Sequence, residues 1–251
     1  MYKTIILFFC LTLSPFLFSQ TAEEILDQAA KAQLNGSAVD ELYSLQHKMT
    51  LTMPGGVEAK MVSTFKEGAK CQMKITIPSL NMTIEQGCDG KDCYMSEPML
   101  GPRLLEGEEL GAMLIQADFK SDFNWREAYT SFSFEGEEEV NGRPCYKVKL
   151  VTAGGVDLVN FYDKETYLLR RTDAIMVDKV MGKISSKTLF DSYQVFDGLK
   201  MPTHIIQEAL SNRIEQHIET YKFNVPVDDS VFTIPASLKK AETQDAATKK
   251  P

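Results

Sequence analysis

Residues 43–65 constrain the fold more than any other stretch. Tyr43, Leu45, His47, Met49, Leu51 and Met53 alternate with Ser44, Gln46, Lys48, Thr50 and Thr52, and Pro54-Gly55-Gly56 then breaks the run. A period of two places the apolar set on one face of an extended strand and the polar set on the other. Val57, Ala59, Met61, Ser63 and Phe65 hold the odd-numbered positions on the return. Pairing Met53 with Val57 sets Met49 beside Met61 and Leu45 beside Phe65, so the hairpin presents one apolar face. A slip of one residue would turn that face to water.

The pattern continues. Cys71, Met73, Ile75 and Ile77 precede a Pro78-Ser79-Leu80-Asn81 turn, and Met82, Ile84, Gln86 and Cys88 follow it. Asp89-Gly90 marks the next turn, before Cys93-Tyr94-Met95. Further strands are predicted over residues 130–137, 146–152, 158–162, 167–173, 186–193, 203–209 and 213–223. Two segments have helical period instead. Thr21-Ala22-Glu23-Glu24 reads as a capping box ahead of Ile25, Leu26, Ala29 and Ala30, with Asn35-Gly36 as the stop. Leu110, Met113, Leu114 and Ala117 form a second stripe behind Glu106, Glu108 and Glu109, whose charges suit a helix N-terminus. Residues 118–129 read as a short helix or loop.

Residues 1–20 hold one charge, Lys3, then an apolar run and a Ser14-Pro15 break. This is the order of a secretory signal peptide, so export to an extracytoplasmic, periplasmic compartment is expected. No later run approaches the roughly 20 apolar residues of a membrane span, and no transmembrane segment is expected in the mature chain. The chain carries 35 acidic against 27 basic residues, a formal charge of −8 that becomes −9 without Lys3. That balance argues against nucleic acid, whose binding rests on neutralising phosphates. Residues 21–237 read as one domain, and residues 238–251, without apolar period, as a disordered tail.

Catalytic patterns are missing. His47, His204 and His217 show no metal-ligand spacing, and His47 alone lies on an apolar face, where a hydrogen-bonded core histidine is expected. No nucleophile elbow, phosphate loop or dinucleotide fingerprint occurs. The acidic runs at 106–109 and 135–139 fit a helix start and a solvated hairpin. No enzyme activity, cofactor or metal is expected. Four cysteines follow residue 20, namely Cys71, Cys88, Cys93 and Cys145. With Ile77 opposite Met82, Cys71 falls opposite Cys88, and a disulfide between them is expected; Cys93 competes for Cys88 across the next turn. Cys145 alternates with Lys147 and Lys149, away from Tyr146, Val148 and Leu150.

The ordered phrases Asp89-Gly90-Lys91-Asp92-Cys93-Tyr94, Gly107-Glu108-Glu109, Asn141-Gly142-Arg143-Pro144-Cys145-Tyr146-Lys147-Val148, Phe161-Tyr162-Asp163-Lys164-Glu165-Thr166-Tyr167-Leu168 and Asp197-Gly198-Leu199-Lys200-Met201-Pro202 run through the chain. In that order they resemble the outer-membrane lipoprotein-sorting (LolA/LolB-like) group. The resemblance implies a mainly β fold: an unclosed antiparallel β-barrel, a strongly curved sheet whose concave face is covered by helices. It also implies an apolar cavity for the acyl chains of a lipid or lipoprotein, with an envelope protein as donor or acceptor. The candidate lining is Met49, Leu51, Met53, Met61, Met73, Ile75, Ile84, Met95, Leu110, Met113 and Leu114. Methionine suits such a surface because it is unbranched and polarizable, and Met82 and Met99 are expected near the same face. The alternative is an envelope scaffold or sensor of the same fold, its core filled by its own side chains and its outer face docked on a protein.

Overall fold

The computed structural model describes residues 20–121, 123–152, 155–178 and 182–238. Residues 1–19 of the expected signal peptide and residues 239–251 of the expected tail lie outside them. Helix α1 (Ala22–Leu34) starts as the sequence requires. Thr21 Oγ1 accepts from the Glu24 amide at 3.2 Å, and Glu24 Oε2 accepts from the Thr21 amide at 2.9 Å. Asn35, at φ 50°, ends the helix in the left-handed conformation.

Thirteen strands follow: β1 (Ser44–Met53), β2 (Val57–Lys66), β3 (Lys70–Ile77), β4 (Met82–Asp89), β5 (Cys93–Glu97), β6 (Gly101–Leu104), β7 (Tyr129–Val140), β8 (Arg143–Thr152), β9 (Asp157–Asp163), β10 (Leu169–Asp178), β11 (Gly182–Phe196), β12 (Leu199–Ala209) and β13 (Asn212–Phe223). Between β6 and β7 lie α2 (Gly107–Ala117) and the single turn α3 (Trp125–Ala128). All strands join one antiparallel sheet in the order β6-β5-β4-β3-β2-β1-β13-β12-β11-β10-β9-β8-β7. Strands β6 and β7 are its two free edges, so the barrel is unclosed. The short β6 was not legible as a strand, since Gly101-Pro102-Arg103-Leu104 has no apolar alternation.

The sheet must curl. Helix α2 touches β3, β4 and β5 and also β10. Strand β10 lies six places beyond β3 in the sheet order, about 28 Å away in a flat sheet. A helix of 11 residues, about 16 Å long and narrower than that across, can pack on both only over a strongly concave surface. Helix α1 bridges β12 and β7 in the same way. The hairpin register agrees with the alternation: Met53 faces Val57, Met49 faces Met61 and Leu45 faces Phe65. Ile77 likewise faces Met82, and Cys71 faces Cys88.

The expected Cys71–Cys88 disulfide does not form; Cys88 is bonded to Cys93, and Cys71 and Cys145 are buried free thiols. Register alone does not decide between the two partners. The Asp89 amide donates to the Asp92 carbonyl, closing the β4–β5 turn, which makes Cys88 and Cys93 the adjacent non-hydrogen-bonded pair. Such pairs bring Cα atoms to about 4.5 Å, and here they are 4.1 Å apart. On an interior strand the amide and carbonyl of one residue point to the same neighbour. Cys88 therefore directs them at Cys71, giving the wider pair of about 5.5 Å.

On the convex face, Asp173, Lys187, Glu208 and Arg213 stand opposite one another across β10, β11, β12 and β13, alternating in sign. Cys145 points to this side, as its alternation requires, and packs with Val140 and Phe161. The Arg171 guanidinium covers the Phe161 ring at 3.6 Å.

Candidate functional site: the concave apolar face

The concave face divides between the two helices. Under α1, Ile25, Leu26, Ala29 and Ala30 pack on Trp125, Tyr129, Val148, Leu150, Tyr162 and Leu169. Asp27 anchors the helix by accepting from Trp125 Nε1 at 3.0 Å and pairing with Arg126 at 2.7 Å. Those bonds hold the Asp27 carboxyl below the usual carboxylate range. Ala128, Phe134, Tyr146, Leu158 and Phe190 edge this half, partly buried.

The half under α2 differs. Met49, Leu51, Met73 and Met113 are buried there, while Met53, Met61, Ile75, Met95, Leu110 and Leu114 pack against the same cluster half-buried. Ten of the eleven candidate residues are thus brought together. Ile84, opposite Ile75, is half-buried outside the cluster. Met82 joins the half-buried fringe, but Met99 is 91% exposed at the β5–β6 turn, away from the inner face. The candidate residues left out Ala59 and Phe65, which the odd-numbered alternation reached, and Phe123, which comes from a stretch without periodicity.

Helix α2 is weakly built. Its N-cap residue Glu106 makes no side-chain cap bond, Gly107 opens it at φ 56°, and Gly111 sits in its interior. Glycine there costs roughly 0.5–1 kcal/mol relative to alanine. Glu109 is held by Arg103 through paired bonds of 2.6 and 2.8 Å, and Glu108 pairs with Lys183 of β11 at 3.7 Å.

A polar island interrupts the apolar face. His47 stands opposite Ser63 in the β1–β2 register and opposite Tyr221 in the β1–β13 register. Its ring lies 5.5 Å from the Phe65 ring and 5.8 Å from that of Tyr221. Both imidazole nitrogens and the Ser63 hydroxyl are sealed from solvent without a hydrogen-bond partner, contrary to the satisfied core histidine expected. Burial pushes the His47 pKa down to about 4, so the ring is neutral at physiological pH. Three unmet hydrogen-bonding atoms on one apolar surface are costly. They would be met by a neutral group able both to donate and to accept.

Two clefts stand out elsewhere. One, of about 530 Å³, is lined by Asp173, Lys187, Glu208 and Arg213 among others; another, of about 580 Å³, by Asn141, Arg143, Asp163 and Lys164. Both are polar and neither opens on the α2 face.

No protein-family model and no curated protein matches the sequence. Solved structures do match. A DUF1329 family protein from Desulfovibrio piger superposes with a TM-score of 0.55 at 17% identity, over 86% of this chain and 98% of that one. A LolA superfamily protein from Nitrosomonas europaea gives 0.56 at 15% identity, over 86% and 99%. The chain has a LolA-like fold. A third match, an outer membrane lipoprotein-sorting protein domain from Vibrio parahaemolyticus, gives 0.53 at 13% identity, over 84% and 97%. What is shared at these identities is the LolA-like architecture: one long curved antiparallel sheet with helices in its concavity. Among the described residues no helix is long and apolar enough to cross a membrane.

Proposed function

We propose that this LolA-like chain is an exported binding protein of the periplasm that shelters acyl chains of a lipid or lipoprotein against the concave face beneath α2. The observation that carries the reading is the contrast between the two halves of that face. Helix α1 is capped, is anchored through Asp27 and lies on a half whose partly buried edge is largely aromatic, whereas the α2 half keeps a methionine-rich fringe, Met53, Met61, Met82 and Met95, half-buried under a helix without a side-chain N-cap bond. A helix without a side-chain N-cap bond and with an interior glycine opens at modest cost, and flexible methionines repack around whatever enters. Residues 1–20 support the export step. The outer membrane lipoprotein-sorting domain among the proteins of like fold supports acyl chains as cargo.

A filled-core scaffold is the competing reading, and one observation favours it: both described clefts are polar and lie away from the apolar face. Uptake of a fluorescent fatty acid by delipidated protein separates the two. The carrier reading expects saturable uptake at one site per chain, with lipid recovered by extraction from protein purified under native conditions; absence of both refutes it.

A further inference from the structure

The histidines that sequence spacing set apart are brought together on the convex face. His204 on β12 and His217 on β13 are direct cross-strand partners. Their rings stack at 4.5 Å between centroids with planes 7° apart. Glu215, two residues before His217, projects on the same side of β13. One ligand-capable atom from each of the three residues lies within 4.8 Å of the others.

The carboxylate is divided between two tasks. Glu215 Oε1 accepts from Arg213 Nε at 3.0 Å, while Oε2 turns to His204 Nε2 at 3.6 Å. That second distance is too long for a hydrogen bond. His204 Nε2 is sealed from solvent and unbonded, so a nitrogen able to act as a metal ligand faces a carboxylate oxygen 3.6 Å away. Arg213 fixes the orientation of the carboxylate through that bond, the part that an outer supporting group plays around a metal. On the flanking strands, Thr50 of β1 stands opposite His217, and Asp191 of β11 stands opposite His204 and pairs with Arg170 at 3.3 Å.

We propose that His204, Glu215 and His217 form a binding site for a divalent transition-metal ion of the zinc class, independent of the concave face. Two imidazoles and one carboxylate match zinc, copper and nickel rather than the all-oxygen shells of calcium or magnesium. Ligands about 2.0–2.2 Å from a common ion stand about 3.3 Å apart. The present spacing, within 4.8 Å, is wider than that by no more than about 1.5 Å, a gap within the reach of side-chain rotation. Three protein ligands leave positions open to water.

The test uses untagged, chelator-stripped protein titrated with Zn²⁺ in competition with a chromophoric chelator, and with Co²⁺ read by visible absorption. The site should withdraw one equivalent of Zn²⁺, and Ca²⁺ should not compete. H217N and E215Q should each weaken Zn²⁺ binding by more than the roughly 10–100-fold that loss of a supporting group costs, and should abolish the Co²⁺ bands. His217 is exposed, so H217N keeps the fold, which circular dichroism verifies. If the protein withdraws no Zn²⁺, or if H217N and the H204N/H217N double variant bind it as the unaltered protein does, the proposal fails.

Discussion

His47 and Ser63 face each other across the β1–β2 hairpin with three hydrogen-bonding atoms between them and no partner for any. The pair sits in the apolar field of Phe65 and Tyr221, so protonating the imidazole would place an unpaired charge there. With the folded pKa pushed down to about 4 against an ordinary 6.5, the unfolded chain binds the extra proton between those two pH values. Stability contributed by neutral His47 is therefore whole above pH 6.5 and drains away as pH falls to about 4, by up to about 3 kcal/mol. Melting temperatures from pH 7.5 to 4 should show this decline, and H47L should flatten it. Replacing both groups, H47L/S63A, should leave stability at pH 7.5 unchanged or raised. The same change should weaken uptake of a hydroxyl- or amide-bearing lipid more than that of a bare hydrocarbon chain. Equal loss for both probes would dismiss the island as a ligand contact.

Among the cysteines, non-reducing peptide mapping should recover Cys88 joined to Cys93, with Cys71 and Cys145 as free thiols. Burial pushes the Cys71 thiol up to about 12, so it should resist alkylation in folded protein and react once denaturant is added. The bridge spans a sequence separation of 5, and so short a loop stabilises by about 2 kcal/mol in the chain-entropy account. C88S/C93S should lower the unfolding free energy by that amount. A Cys71–Cys88 peptide in the map would contradict the register argument.

Strand pairing was legible because period-two runs with a buried face tolerate only one register; Met49 beside Met61 follows from Pro54-Gly55-Gly56 alone. The capping box of α1 was equally plain. The disulfide partner was not, because it turns on which cross-strand pair is hydrogen-bonded. The closing bond of the Asp89-to-Asp92 turn carries that information, and side-chain alternation does not. The pairing of His204 with His217 needed only the two-residue turn Leu210-Ser211, whose flanks Ala209 and Asn212 pair. Neither turn residue has the glycine or asparagine that announces such a turn, although both adopt positive φ, 49° and 64°. The curl was beyond local reading and was expected only from the resemblance, since it shows in long-range contacts, α2 reaching from β3 to β10 and α1 from β12 to β7.

Leu114 tests what α2 covers. It is half-buried at the edge of the cluster, so a carboxylate introduced there can turn to water if α2 borders a cavity. L114E should then keep its circular dichroism spectrum and melt within a few degrees of the unaltered protein while losing fatty-acid uptake. In a filled core the same change buries an unpaired charge and costs several kcal/mol. Loss of folding together with uptake would count against the carrier.

Gly111 tests whether α2 must unwind to admit cargo. A methyl group added at this position meets nothing within 4 Å, so G111A changes the helix's intrinsic preference and no contact. Alanine should favour the helical state by about 1 kcal/mol, raising the melting temperature slightly. If α2 opens by local unfolding, the open population falls about fivefold, and fatty-acid uptake should slow by the same factor while saturating at the same stoichiometry. Stopped-flow uptake beside thermal melting reads both quantities from one preparation. A raised melting temperature with an unchanged uptake rate would mean that cargo enters without unwinding α2, and the weak N-terminus and interior glycine would then lose the role assigned to them here.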